Sequence, residues 1–287
     1  MFKFYLGDKN MNKDIKLVVA DIDMTLKVGH NPMPELNLQA IKDLHSNGYL
    51  FGMASGRSVS QIKKVFDDFH VDFNLDLAVA VNGSAMYDGL IDQEDDYLLL
   101  QPEWVKDIVE VLRANNVDFY MYINDETIFS NANDEYYREV YVAAGRPAKV
   151  AVNDVDFLNG KIYKGLVQIN SQEEKEKIYK MFEPLVKKRK GQFKLLMTTK
   201  ECIEFVHYDT SKAFALKKFC DRHNIDYKNV AAFGDADNDN EMIQMSGMGV
   251  CLKDGVEETK KLADYITDLD CGEGGFGDFV YKHILNK

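Results

Sequence analysis

The sequence predicts an α/β protein: a parallel-sheet domain interrupted by an inserted α+β domain. Short, nearly continuous apolar runs alternate with stretches of helical length at both ends of the chain. Each of the main runs stops at a polar, mostly acidic cluster. Between them, the middle of the chain changes to turn pairs beside short strand-like runs.

The first run, Ile15 to Ala20, is apolar apart from Lys16 and partly β-branched, the habit of a strand buried on both faces. It ends at Asp21-Ile22-Asp23. A helix over about Leu36–Asn47 follows, closed by Gly48. Tyr49–Ala54 is the second strand and runs into Ser55-Gly56-Arg57. Ser58 is placed to cap the next helix, Val59 to about Phe69. Leu77–Val81 is the third strand and stops at Asn82-Gly83. From Tyr87 to about Glu201, the turn pairs Asp88-Gly89 and Asn124-Asp125 accompany strand-like Phe119–Ile123 and Lys164–Ile169. Helical stretches alternate with them over about 103–115 and 173–188, the second rich in Lys and Glu as a solvated face is. The parallel pattern then resumes with a helix over Lys212–His223, a strand over Val230–Phe233 ending in Gly234-Asp235, and a short helix over Asp239–Met245. Met248–Leu252 reads as a strand, Glu257–Ala263 as a helix, and Tyr265–Thr267 as a last short strand. The expected division is a core domain of residues 1–87 and 206–287 around an inserted domain of residues 88–205.

Composition narrows the function. The 287 residues carry a formal net charge of −12, which repels nucleic acid and anionic lipid, so neither is the expected partner. No segment approaches the roughly 20 apolar residues of a membrane helix. The first residues, MFKFYLGDKNMNKD, lack the pattern of a signal peptide. Cys202, Cys220, Cys251 and Cys271 form no C-x-x-C pair, which points to a reduced cytoplasm and away from zinc. The sequence carries no signal for oligomeric state.

Ligands of open α/β sheets gather outside the carboxyl ends of the strands. There this chain places Asp21-x-Asp23, Ser55-Gly56, Asn82-Gly83 and Gly234-Asp235-Ala236-Asp237-Asn238-Asp239. Carboxylates crowded together need a cation or shared protons, and a hard ion such as Mg²⁺ suits them. A carboxylate can attack phosphorus, a second acid can handle the proton of the leaving oxygen, and a fixed lysine can hold phosphoryl oxygens. Lys212, opening its helix, is the candidate lysine.

Taken in order, these segments resemble the haloacid dehalogenase (HAD) superfamily of phosphatases. Asp21-Ile22-Asp23-Met24-Thr25-Leu26 is similar to its D-x-D-G-T-L motif, and Ser55-Gly56-Arg57 to its second motif. Lys212 matches the third-motif lysine, and residues 234–239 match G-D-x-x-N-D. Asn82-Gly83-Ser84 and Ala263-Asp264-Tyr265-Ile266-Thr267 resemble signatures of the Cof-type subfamily. The resemblance implies a Rossmann-like parallel-sheet core and a C2-type cap that closes over the cleft and selects the substrate. It implies Asp21 as nucleophile and Mg²⁺ ligand, and Asp23 as general acid/base that also lends Mg²⁺ its backbone carbonyl. Ser55, Gly56 and Lys212 would bind the transferring phosphoryl group. Asp235 would be a metal ligand, Asp239 a second ligand or an orienter of metal-bound water, and Asn82 and Asn238 would lie near the substrate.

The expected activity is Mg²⁺-dependent hydrolysis of a small phosphorylated metabolite, a sugar phosphate or phosphorylated cofactor, through an aspartyl-phosphate. The alternatives are a phosphomutase or phosphotransferase using the same nucleophile, or a non-catalytic phospholigand-binding protein. One position departs from the family pattern: Met24 stands where glycine is usual. If the backbone there needs φ > 0, a methionine is strained; if not, it merely covers the cleft.

Overall fold

The computed structural model describes residues 14–286 apart from 30, 144 and 200. The reading of the first thirteen residues therefore falls outside the described residues. The chain divides into two compact units, one comprising the chain through Asp95 together with the chain from Ser211, the other Asp96–Thr210.

The first unit begins with β1 (Leu17–Asp21), α1 (Glu35–Ser46), β2 (Leu50–Ala54), α2 (Val59–Asp67), β3 (Leu77–Ala80), β4 (Ala85–Asp88) and β5 (Gln93–Asp96). The second unit holds α3 (Pro102–Ala114), β6 (Tyr120–Ile123), β7 (Glu126–Phe129), β8 (Ala148–Val150), β9 (Ile162–Gln168), α4 (Gln172–Lys188), β10 (Phe193–Thr199) and β11 (Cys202–His207). The chain then returns through α5 (Lys212–His223), β12 (Val230–Gly234), α6 (Asn240–Met245), β13 (Met248–Cys251), α7 (Glu257–Leu262), β14 (Tyr265–Ile266) and α8 (Gly275–His283).

The first unit is the α/β sheet expected, with strand order β14-β13-β12-β1-β2-β3-β4-β5. The pairs from β14 to β3 are parallel. β1 and β12 are buried along their whole length, which is why they carry no polar residue until their carboxyl ends. The pairing of Leu17 with Val230 and Ala20 with Phe233 aligns those two ends. Helix α2 starts where Ser58 and Gln61 form a reciprocal capping box, satisfying two otherwise orphan backbone donors.

The first unit runs to Asp95, beyond the expected boundary at residue 87, because β4 folds back antiparallel on β3. Asp88 at its end is buried, accepting from Arg222 Nη1 at 2.9 Å and lying 2.8 Å from His223 Nε2 of α5. This polar anchor makes the β4 segment part of the first unit.

The second unit is a six-stranded sheet, β10-β11-β9-β6-β7-β8, antiparallel except where β8 joins β7 in parallel. Residues of α3 and α4 pack with Met121, Val167 and Phe205 in one core. The other face gathers Tyr120, Phe129, Tyr141 and Leu166.

Candidate active site

Asp21 is the last residue of β1 and Asp235 follows β12 directly, so neighbouring parallel strands deliver both carboxylates to one sheet edge. Asp239 joins them: one carboxylate oxygen from each of Asp21, Asp235 and Asp239 lies within 4.8 Å of the others. Lys212, the first residue of α5, is fully buried, and its Nζ is 2.7 Å from Asp21 Oδ1 and 2.7 Å from Asp239 Oδ1.

Local sequence explains how the Asp239 carboxylate reaches this position. The chain turns through residues 237–239, and Asp239 Oδ2 accepts from the backbone N–H groups of Asp235 (3.1 Å) and Ala236 (3.2 Å). Gly234 makes room for it, since a Cβ there would stand 2.4 Å from Asp239 Cγ. Thr25 ties the first acidic motif to the last by donating its hydroxyl to Asp235 Oδ1 at 2.9 Å, across 210 residues of chain.

The electrostatics follow from burial and crowding. Burial pushes the Asp21 carboxyl up to about 7; Lys212 opposes this and Asp239 adds to it. Asp235 is pushed up to about 8 by burial first, then by Asp21 and Asp239. For Lys212, burial works to lower the pKa, but the attraction of Asp21 and Asp239 outweighs it and holds the ammonium charged. Fully ionised, three carboxylates facing one ammonium leave two negative charges uncompensated. An all-oxygen donor set with that surplus fits a hard divalent cation.

The other candidate residues lie around this cluster. The Asp23 carboxylate stands apart, held by Arg57 through Nε at 3.1 Å and Nη2 at 2.8 and 2.9 Å. Ser55, buried directly after β2, accepts the Arg57 N–H at 3.3 Å on its hydroxyl. Gly56 faces Asn82, whose amide nitrogen would lie 3.3 Å from a Cβ at that glycine. Asn238 donates to Asn82 Oδ1 at 3.3 Å, linking the fourth motif to the end of β3. Asp237 is exposed. Met24 sits at φ +65°, so the left-handed alternative holds, and its N–H donates to the Lys27 carbonyl at 2.8 Å.

The motifs give Thr25 no role and Arg57 none beyond its place in Ser55-Gly56-Arg57. The Thr at the fifth place of the first motif was the available signal for Thr25. No sequence spacing announces the Arg57–Asp23 pair, because its partners lie on different strand ends.

A family model described as haloacid dehalogenase-like hydrolase matches residues 18–279. The chain is 24% identical over 288 residues to the Bacillus subtilis protein named 5-amino-6-(5-phospho-D-ribitylamino)uracil phosphatase YwtE, covering 93% of this chain and 97% of that one. Among solved structures, a haloacid dehalogenase-like hydrolase from Bacteroides thetaiotaomicron superposes with a TM-score of 0.81 at 23% identity, covering 93% of this chain and 99% of the other. The HAD subclass IIB sugar phosphatase BT4131 superposes at 0.75 with 17% identity, covering 93% and 98%.

Proposed function

The chain belongs to the haloacid dehalogenase-like hydrolases, and from that membership we propose that it is a Mg²⁺-dependent phosphomonoester hydrolase of small phosphorylated metabolites. As an enzyme of this family it is a phosphatase; the proposal adds the metal, the intermediate and the substrate class. The observation that carries it is the buried Lys212 ammonium bridging Asp21 and Asp239 beside Asp235.

In the proposed reaction an Asp21 carboxylate oxygen attacks phosphorus while the bond from phosphorus to the ester oxygen breaks. Asp23 gives that oxygen its proton. A water, deprotonated by Asp23, then attacks the aspartyl-phosphate, the bond from phosphorus to Asp21 oxygen breaks, and inorganic phosphate leaves with the carboxylate restored. Lys212, Ser55 and Gly56 hold the phosphoryl oxygens as charge spreads over them. Asn82 and Asn238 lie at the substrate side, and Arg57 keeps the Asp23 carboxylate aimed. Asp21, Asp235 and the Asp23 backbone carbonyl would hold the Mg²⁺. Both Asp239 oxygens already accept hydrogen bonds, so Asp239 would act mainly by anchoring Lys212 and orienting metal-bound water. When bound, the dication offsets the carboxylate surplus and polarises the phosphoryl group.

Substrate selection is assigned to the inserted unit, Asp96–Thr210, in the role of the cap domain expected from the sequence. The relatives named as a 5-amino-6-(5-phospho-D-ribitylamino)uracil phosphatase and a sugar phosphatase support a small phosphorylated metabolite, a sugar phosphate or a phosphorylated cofactor. Among the described residues no helix is long and apolar enough to cross a membrane, and the proposal places the enzyme in the cytoplasm with no nucleic-acid partner.

The test is phosphate release from a panel of phosphometabolites with and without Mg²⁺. Release that requires the metal, and that falls by about a thousandfold or more in Asp21→Asn, is expected. An Asp21→Asn enzyme as fast as the parent would overturn the assignment of the nucleophile.

A further inference from the structure

We propose that Gly83 is a positioning residue for Lys212, an inference that rests on the reading of Lys212 as the phosphoryl-holding lysine. Val81, Asn82 and Gly83 all have positive φ, at +47°, +52° and +96°. A left-handed, buried, β-branched Val81 is rare and persists only where its surroundings enforce it. Here they do: the Val81 N–H donates to the Arg57 carbonyl at 2.8 Å and the Asn82 N–H to the Ser55 carbonyl at 2.9 Å. The turn is thereby bolted to the loop after β2.

Its far side meets α5. A Cβ at Gly83 would stand 1.9 Å from the Ser211 carbonyl oxygen and 2.8 Å from its carbon. Ser211 immediately precedes Lys212, whose Nζ spans 2.7 Å contacts to two carboxylates with no exposed surface. The helix start is thus seated directly on the backbone of the turn, and the missing side chain sets how close it comes. A methyl group at 83 pushes the Ser211 peptide away while Asp21 stays fixed in the middle of the sheet, so Lys212 loses its place between the carboxylates.

The experiment uses the full chain, p-nitrophenyl phosphate with Mg²⁺ for turnover, and orthophosphate protection against thermal unfolding for binding. Gly83→Ala is expected to lose about a hundredfold in kcat, the scale of an ångström's misplacement at a reacting centre, and to lose phosphate protection. Added to Lys212→Met, it should cause no further loss. Two controls isolate the effect. Gly48→Ala places a side chain at φ +81° in open space, and Gly247→Ala crowds the Lys228 carbonyl at 2.1 Å, at the opposite end of the strands. Both should lose stability and keep kcat and phosphate protection. If Gly83→Ala does not fold, Gly83→Ala combined with Ser211→Gly lets the carbonyl swing aside; it should fold and show the same loss, with Ser211→Gly near the parent.

Normal kcat and phosphate protection in the folded Gly83 variant, or a loss that adds in full to that of Lys212→Met, overturns the inference. A parent enzyme that binds phosphate without turnover defeats the hydrolase reading, and the phosphate arm then decides the role of Gly83. A parent that does neither defeats both.

Discussion

Met24 has its backbone in the left-handed region, and the residue is 39% exposed. The strain there is about 1 kcal/mol, and little packing offsets it. Met24→Gly should therefore raise stability by about 1 kcal/mol in a denaturant titration; a lowered midpoint would mean that the side chain contributes packing instead. Arg57 and Asp23 form a two-pronged pair at partly exposed positions, so its worth to stability is at most about 1 kcal/mol. Its value lies in aim. Arg57→Ala should lower kcat by about tenfold with almost no change in thermal midpoint, and Arg57→Lys should recover little, because an ammonium cannot make the paired contacts. An unchanged kcat would reduce Arg57 to a surface ion pair. Asp21, Lys212 and Asp235 were legible in the sequence because strand and helix ends locate them before any coordinates exist. The Thr25–Asp235 and Arg57–Asp23 contacts were not, since each joins segments that only the folded sheet brings together.

At the scale of elements, strands buried on both faces announce themselves, and β1, β2, β3 and β12 were readable within a residue or two. β7 and β8, of four and three residues, are too short to show a period. Helix α8 also escaped notice: its Phe276, Phe279 and Val280 have helical spacing, but the glycine-rich lead-in reads as a loop. The second unit contains an ion pair that sequence pattern does not reveal. Lys164 of β9 donates to Glu204 of β11 at 2.6 Å, and both side chains are buried. Leaving either charge without its partner is expected to cost about 3–5 kcal/mol, whereas Lys164→Met combined with Glu204→Leu should fall near the parent. Equilibrium unfolding of the two singles and the double checks this; a mild Lys164→Met would show that water reaches the pair.

For the whole molecule, the acidic cluster ties stability to pH and metal. Asp21 and Asp235 have folded-state values near 7 and 8 against an ordinary 3.8, so the folded state binds more protons than the unfolded one between about pH 4 and 8. These groups stabilise the fold at low pH, and that contribution is lost as pH rises through 7 and 8. His207 and His283, lowered from 6.5 chiefly by burial, act in the opposite sense below that value. The clean window is therefore pH 6.5 to 8. Metal-free protein should lose thermal stability across it, Mg²⁺ should restore most of the loss at pH 8, and Asp235→Asn should flatten the profile. A metal-free midpoint that climbs through that window would contradict the cluster's electrostatics. The pairing of β1 with β12 has one more consequence, for synthesis. A ribosome has translated Asp21 and all of residues 96–210 before Val230 is made. During that interval β1 lacks one neighbour and the nascent chain has no Asp235, so chemistry waits until β12 and the residues after it have been made, and a product terminated before them carries an open hydrophobic edge for chaperones to shield.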